Sequence, residues 1–363
     1  MSTDSSAALR SAVTHLLGGQ VGIRPVRREP IVYDAFLAGR DLVRVRGEAT
    51  VDGRSVTWSI IEKRTDGPDT ASAYLVDNAV REAAAYRSGL LTDLADGLRA
   101  PQLLGFEEGP DGALTLWIED LAPDGRAPLE KVEVLAAARR FGRLAGRGLD
   151  RVPEYPWLFR GWIERHGQPA AMEAGLATVR AARGDREISE RLGSRLDEAV
   201  RLIEGQREFG AMLERLPVTL CHHDTVAANV FSRPDETVLI DWESVGPGAV
   251  GADLATLLFA SPRRGDFPSA WLRDLFGPAL AAYRDGLADE GAAIDDHAVA
   301  LGLHASIALR WALVRDVCAA LQTRRPMFRG SALHETPEQA LEELVALVPV
   351  LLDSAAEARR LSR

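Results

Sequence analysis

One stretch, residues 218–244, constrains this chain more than any other. It runs Val-Thr-Leu-Cys-His-His-Asp-Thr-Val-Ala-Ala-Asn-Val-Phe, turns at Ser232-Arg233-Pro234-Asp235, and resumes as Val-Leu-Ile-Asp-Trp-Glu-Ser. An apolar run therefore ends in a polar cluster, and after a short turn a second apolar run ends in acids. The first cluster, His222-x-Asp224-x4-Asn229, puts a carboxylate and an amide on one loop. The second run, Val238-Leu239-Ile240, delivers Asp241 and Glu243 to the same place.

Phosphoryl transfer calls for such a set: a carboxylate that orients the acceptor hydroxyl and receives its proton, and oxygen ligands for Mg²⁺. At these residues the sequence resembles the aminoglycoside phosphotransferase family, which also takes in choline-kinase-like and other small-molecule kinases. The resemblance implies that Asp224 is the catalytic base and His222 the residue bracing its loop. It implies Asn229 and Asp241 as Mg²⁺ ligands, Asp241 standing where protein kinases have the aspartate of Asp-Phe-Gly. Glu243 matches a further acid near the second metal. One departure is visible: where the family usually has Gly between the His and the Asp, this chain has His223. An imidazole there would either crowd the loop or reach the substrate.

Composition sets the frame. A length of 363 residues exceeds what one core usually fills, which predicts two lobes. Apolar residues make up 46% and charged residues 26%, the ordinary balance of a globular chain. A net charge of −10 argues against a nucleic-acid binder, which needs a basic face. No transmembrane-length apolar run and no signal-peptide pattern stand out, so the expected setting is cytoplasmic, with no membrane partner. Cys221 and Cys318 are too few for a disulfide framework or a zinc site and are read as reduced, buried thiols. Of 43 basic residues only two are lysine, Lys63 and Lys131. A lysine kept in a chain that otherwise writes arginine points to a site needing a compact ammonium.

Taken in order, residues 5–17 have helical spacing and predict a peripheral helix. Ile31–Phe36 predicts a first strand, Ala38-Gly39-Arg40-Asp41 a tight turn, and Leu42–Val51 a strand that alternates cleanly. Asp52-Gly53 is a hairpin signal, and Val56–Lys63 returns as the third strand. This strand ends Ile60-Ile61-Glu62-Lys63, and period two puts Ile61 and Lys63 on one face. Its end resembles the Val-Ala-Ile-Lys of kinases, implying that Lys63 holds the nucleotide phosphates with Ile61 beside it. The helical segment 72–91 supplies Glu82, by the same resemblance the partner of Lys63. A second hairpin, Leu103–Glu107 and Leu114–Ile118, turns at Gly109–Gly112 and completes five strands. It runs into Glu119-Asp120-Leu121, resembling the family's hinge, where the backbone of Glu119 and Leu121 would meet adenine.

Pro123, Gly125 and Pro128 mark a boundary, after which the chain is nearly all helical. Gly246–Gly251 is Gly-rich but lacks the Lys-Ser/Thr of a P-loop. Asp253 opens a helix and is read as a cap or brace. The acids Asp285, Asp289, Glu290, Asp295 and Asp296 are read as a solvated connection between helices, the other reading being that they attract a cationic substrate.

The expected fold is α+β and protein-kinase-like in two lobes. Residues 1–121 form a nucleotide-binding N-lobe, an antiparallel five-stranded sheet with a helix. Residues 122–363 form a mainly helical C-lobe carrying the catalytic loop. The expected activity is transfer of the γ-phosphate of ATP, or of GTP in its place, to a hydroxyl of a small molecule, with Mg²⁺. An antibiotic such as an aminoglycoside, or another sugar or nucleoside natural product, in resistance or biosynthesis, is the first acceptor class; a choline-like or sugar metabolite is the second. A non-catalytic nucleotide-binding module is the reading from a different class.

Overall fold

The computed structural model describes residues 7–19, 21–31, 40–65, 78–109, 112–125, 127–323 and 336–363. The chain divides into two compact units, residues 1–93 with 99–127, and residues 94–98 with 128–363. Up to residue 119 the elements are α1 (Ala7–Leu17), β1 (Gly22–Ile23), β2 (Arg27–Pro30), β3 (Arg40–Val51), β4 (Arg54–Thr65), α2 (Asn78–Arg87), β5 (Leu98–Arg99), β6 (Leu103–Glu108) and β7 (Leu114–Glu119).

In the first unit β3 and β4 pair over their whole length, from Arg40↔Thr65 to Val51↔Arg54. Asp52 and Gly53 between them both have positive φ, 48° and 77°, the two-residue turn whose twist matches a hairpin. The strand order is β1-β3-β4-β7-β6, with β2 also on β3. Among the described residues the sheet thus has six strands. Four of them, β3, β4, β6 and β7, match expected strands, and the short strands β1 and β2 are additions: Arg27-Arg28-Glu29-Pro30 has no apolar alternation to read, and its pairing comes from β3 alone. The expected strand at residues 31–36, the turn at 38–39, the start of the 72–91 helix and the tip of the second hairpin at 110–111 lie wholly or largely outside the described residues.

Each face of this sheet is covered by a helix. Leu9, Ala12 and Val13 of α1 are fully buried with Val45, Ala49, Trp58, Ile60 and Trp117. The helix expected to be peripheral is therefore part of a core. Gly47 of β3 makes room there, because a Cβ would come within 2.7 Å of the Trp58 ring. On the other face Ala83 of α2 packs with Leu114, Leu116 and Ile118, and Ile61 and Tyr86 border them.

The second unit contains α3 (Lys131–Gly148), α4 (Trp162–His166), α5 (Pro169–Ala182), α6 (Arg186–Leu192), α7 (Arg195–Glu204) and α8 (Gln206–Leu213). Next come β8 (Val218–Cys221), β9 (Val230–Ser232), β10 (Thr237–Leu239), β11 (Gly246–Ala249) and α9 (Ala252–Ala255). A π-turn over Thr256–Ala260 leads into α10 (Ser261–Arg264), then α11 (Leu272–Asp289), α12 (Asp296–Ala308), α13 (Ala312–Thr323) and α14 (Pro337–Leu361). Helices α3 and α11 touch through glycine: a Cβ on Gly142 would meet the Tyr283 carbonyl at 2.0 Å, and one on Gly286 the Arg139 carbonyl at 1.9 Å. Asp296–Thr323 is apolar enough by composition to cross a membrane, yet 72% of its most apolar 18-residue window is buried. It breaks at residues 309–311 and packs on α8, α9 and α14, as a core segment does.

Candidate active site

The second unit holds the loop singled out in the sequence. β8 pairs antiparallel with β11, from Gly246↔Cys221 to Ala249↔Val218, and releases the chain at His222. There His223 takes a left-handed backbone, φ 65°, which non-glycine residues rarely adopt. Asp253, 3% exposed, holds this turn. Its Oδ2 accepts the His222 N–H at 2.9 Å and its Oδ1 the His223 N–H at 2.8 Å, while the Thr225 hydroxyl donates to its carbonyl at 2.6 Å. Asp253 therefore braces the loop; it lies inside α9, whose N-cap is Gly251, and does not cap it.

His222 ties this loop to the next strand. The Asp224 N–H donates to Nδ1 at 3.2 Å, so Nε2 carries the proton and donates to the Ile240 carbonyl at 3.0 Å. Ile240 precedes Asp241, and Asp241 is itself left-handed, φ 69° and ψ 59°, at the start of the short turn Trp242–Ser244. Asp and Asn tolerate that region better than most side chains. The Ile240 N–H in turn donates to the Asn229 carbonyl at 3.0 Å, so the two loops are laced together.

Asn229 sits on the turn Ala227–Asn229 and is 7% exposed. Its Nδ2 donates to the Asp224 carbonyl at 2.8 Å and to Asp224 Oδ2 at 2.9 Å. The amide nitrogen is thereby engaged, and the ligating end of this side chain is Oδ1. Burial first, and the neighbouring Asp241 second, raise the Asp224 carboxyl above its ordinary range, making it a better proton acceptor. Glu243, 8% exposed, follows one turn residue later.

His223 neither crowds the loop open nor faces outward. Its ring is 2% exposed, stacks on Trp162 at 4.9 Å and 20°, and meets Phe159 edge-on at 6.2 Å. Nε2 donates to the Pro247 carbonyl at 3.1 Å, and burial holds the imidazole neutral, down to about 3. Gly248 is the counterpart: a Cβ there would lie 2.6 Å from His223 Cε1 and 2.7 Å from Cys221 Sγ.

The first unit holds the other residues. Lys63 Nζ lies 2.5 Å from Glu82 Oε2, the two side chains being 12% and 3% exposed. Lys63 pairs in register with Leu116, and Ile61 with Ile118, on the face that carries α2. At the predicted hinge the Glu119 N–H donates to the Gln102 carbonyl at 3.0 Å, and its carboxylate binds Arg99 at 2.6 and 3.1 Å. Asp120, the middle residue of the Glu119–Leu121 run, anchors it to the sheet. Its carboxylate, 2% exposed, takes two bonds from Arg44 (2.7 and 3.3 Å), one from the Ala122 N–H (3.2 Å) and one from the Ser59 hydroxyl. The alternating arginine on β3 was a sequence signal for an acid across the sheet.

An antiparallel sheet with a Lys–Glu pair in one unit, and a helical unit whose short hairpins carry the acids, define the mixed α+β, protein-kinase-like class. A model of the phosphotransferase enzyme family matches residues 76–297, more than half of the chain, and the chain belongs to that family. Its fold is also that of a choline/ethanolamine kinase family protein from Mesorhizobium loti, with a TM-score of 0.50 and 13% identity over 98% of this chain and 97% of that one. An aminoglycoside phosphotransferase from Streptomyces rimosus aligns with a TM-score of 0.43 and 20% identity, over 82% of this chain and 97% of that chain. A choline kinase from Cryptosporidium parvum aligns with a TM-score of 0.48 and 12% identity over 91% of each. No curated protein matches the chain.

Proposed function

We propose that this phosphotransferase moves the γ-phosphate of ATP, or of GTP in its place, to a hydroxyl of a small molecule. The observation that carries the reading is the bond from Asn229 Nδ2 to the Asp224 carboxylate, on a loop that His222 ties to the strand end bearing Asp241. It sets a raised-pKa carboxylate beside hard oxygen donors. In the step proposed, Asp224 orients the acceptor hydroxyl and takes its proton as the new O–P bond forms. The bond from the γ-phosphorus to the bridging oxygen breaks, and ADP leaves.

The donor set of Asn229, Asp241 and Glu243 is all oxygen, as Mg²⁺ prefers, and the orientation of Asn229 presents its Oδ1. Bound there, Mg²⁺ supplies charge neutralisation for the phosphates. Residues 1–121 serve in this reading as the nucleotide-binding part. Lys63, fixed by Glu82, holds phosphate oxygens; Ile61 packs beside the nucleotide; the backbone of Glu119 and Leu121 meets the adenine edge. Residues 122–363 supply the catalytic loop and the acceptor site. Two buried free thiols, Cys221 and Cys318, are consistent with action in the cytoplasm.

Two acceptor classes stand under this reading: an antibiotic or other sugar- or nucleoside-bearing natural product, in resistance or biosynthesis, and a choline-like or sugar metabolite. Mass spectrometry of hydroxyl compounds incubated with the protein and Mg-ATP tests it. A phosphate-sized gain on one compound supports the reading; absence of both a gain and Mg-ATP binding refutes it.

A further inference from the structure

Three arginines, Arg310, Arg263 and Arg165, gather with Asp224 and Asp253 beside the catalytic loop. Arg310 follows α12 in the turn before α13 and is 8% exposed. Its guanidinium lies over the Trp162 ring at 5.1 Å, and Trp162 in turn stacks on His223, the neighbour of Asp224. Its Nη2 donates to Thr256 Oγ1 at 2.6 Å, in the π-turn, a local irregularity often found at functional sites. Its Nε–H is buried and has no acceptor among the described residues.

A buried guanidinium normally sits on a carboxylate, because an uncompensated charge in the interior is expensive. Among the described residues Arg310 forms no ion pair. The nearby acids are otherwise engaged. Asp316 is shared between Arg263 at 2.5 Å and Arg315 at 2.7 Å. Both oxygens of Asp253 accept loop N–H groups. Asp224 is bonded to Asn229 and has the hydroxyl to serve. The charges that act on Arg310 include two more cations, Arg263 and Arg165, besides Asp224 and Asp253. Burial first, then Arg263, pull it down to about 9, the direction of a cation short of counter-charge.

We propose that Arg310 anchors an anionic group of the acceptor, so that the substrate is a hydroxyl compound bearing a carboxylate or a phosphate. The proposal rests on the phosphotransferase reading above and narrows its acceptor. Polycationic aminoglycosides and choline-like amines are disfavoured at this position, since a cationic group set against the Arg310 guanidinium is repelled. The planar fork of arginine suits a carboxylate or a phosphate oxygen pair, while the indole of Trp162 beneath it fixes its plane. Arg310 acts here as a specificity residue, and Asp224 keeps the proton.

The test uses the full chain with nitrogen-15 arginine. The Arg310 Nε–H resonance, assigned by its loss in Arg310→Lys, is followed against lactate, glycerol 3-phosphate and choline at constant ionic strength. A saturable shift with lactate identifies a carboxylate site and one with glycerol 3-phosphate a phosphate site, choline having no effect. No saturable shift with either anion overturns the proposal. In turnover assays Arg310→Met raises KM for an anionic acceptor by roughly 30-fold or more, the scale of losing one partner of a buried charge pair. Its kcat and its KM for nucleotide stay near wild type. Equal turnover of a cationic acceptor by wild type and Arg310→Met overturns the acceptor class but leaves the phosphotransferase reading standing. Failure of wild type to bind Mg-ATP removes that reading, while a saturable anion shift still upholds the Arg310 site.

Discussion

Asp253 and His223 meet through a single hydrogen bond, Oδ1 to the His223 N–H at 2.8 Å, and that bond fixes a left-handed residue just before Asp224. A left-handed non-glycine residue costs about 1 kcal/mol or more, so the surroundings must determine it. Here they do so twice. The second carboxylate oxygen holds the preceding N–H, and the imidazole is stacked on Trp162 and hydrogen-bonded to Pro247. The departure from the usual glycine is accommodated by the core beneath the loop.

That packing predicts a coupled pair. Gly248→Ala forces a methyl against His223 Cε1 and Cys221 Sγ and is expected to destabilise the chain by about 1–3 kcal/mol, the range for overpacking. His223→Gly restores part of the room, so the double variant should lose less than the sum of the two single variants. Denaturant unfolding of the two single variants and the double variant measures the coupling. Strict additivity would mean that the two residues do not compete for this space.

A pH dependence follows from the same residue. His223 is lowered to about 3, chiefly by burial, against 6.5 for an exposed imidazole. The unfolded chain therefore binds a proton that the folded chain refuses. Stability is present above pH 6.5 and is lost as pH falls through that window towards 3, by at most about 1.4 kcal/mol per pH unit for one group. Asp253 acts oppositely: raised to about 6 by burial, its contribution is present below the ordinary carboxylate range and is lost as pH rises through 6. Comparing variants isolates the histidine. Thermal midpoints of His223→Gly should fall less than wild type between pH 7 and pH 5; an equal fall would assign the slope to other groups.

In the first unit the Lys63–Glu82 pair is nearly dry. Glu82→Ala strands a buried ammonium and is expected to cost about 3 kcal/mol in stability. The combined Lys63→Met/Glu82→Leu variant should fold better than Glu82→Ala while binding nucleotide more weakly than wild type. Chemical unfolding and nucleotide titration separate these effects. Unchanged nucleotide affinity in the double variant would remove Lys63 from the phosphate site.

The residues legible in sequence are those whose relation is local. His222, Asp224, Asn229 and Asp241 lie within 20 residues, in the loops that follow β8 and β10 and the turn before β9, so their closeness is local in the chain. Lys63 is visible as a rare residue at the end of an alternating strand, and Glu82 only through the resemblance of its helical segment to that of the family. The direction of His223 was not legible, because it depends on Trp162 and Pro247, elements brought together only by the fold. Strands β1 and β2 carry no alternation, and α1 has no partner until β3, β4 and β7 assemble. Arg310 was hidden for a compositional reason: in a chain that writes arginine almost everywhere, only burial sets one apart.

The most direct test compares wild type with Asp224→Asn in Mg-ATP, following phosphate transfer to a hydroxyl panel by mass spectrometry and nucleotide binding by calorimetry. The expected result is a loss of transfer of about 10²–10⁴-fold, the usual contribution of a positioned base, with nucleotide affinity nearly unchanged. Transfer that survives undiminished in Asp224→Asn would contradict the assignment on which the account rests.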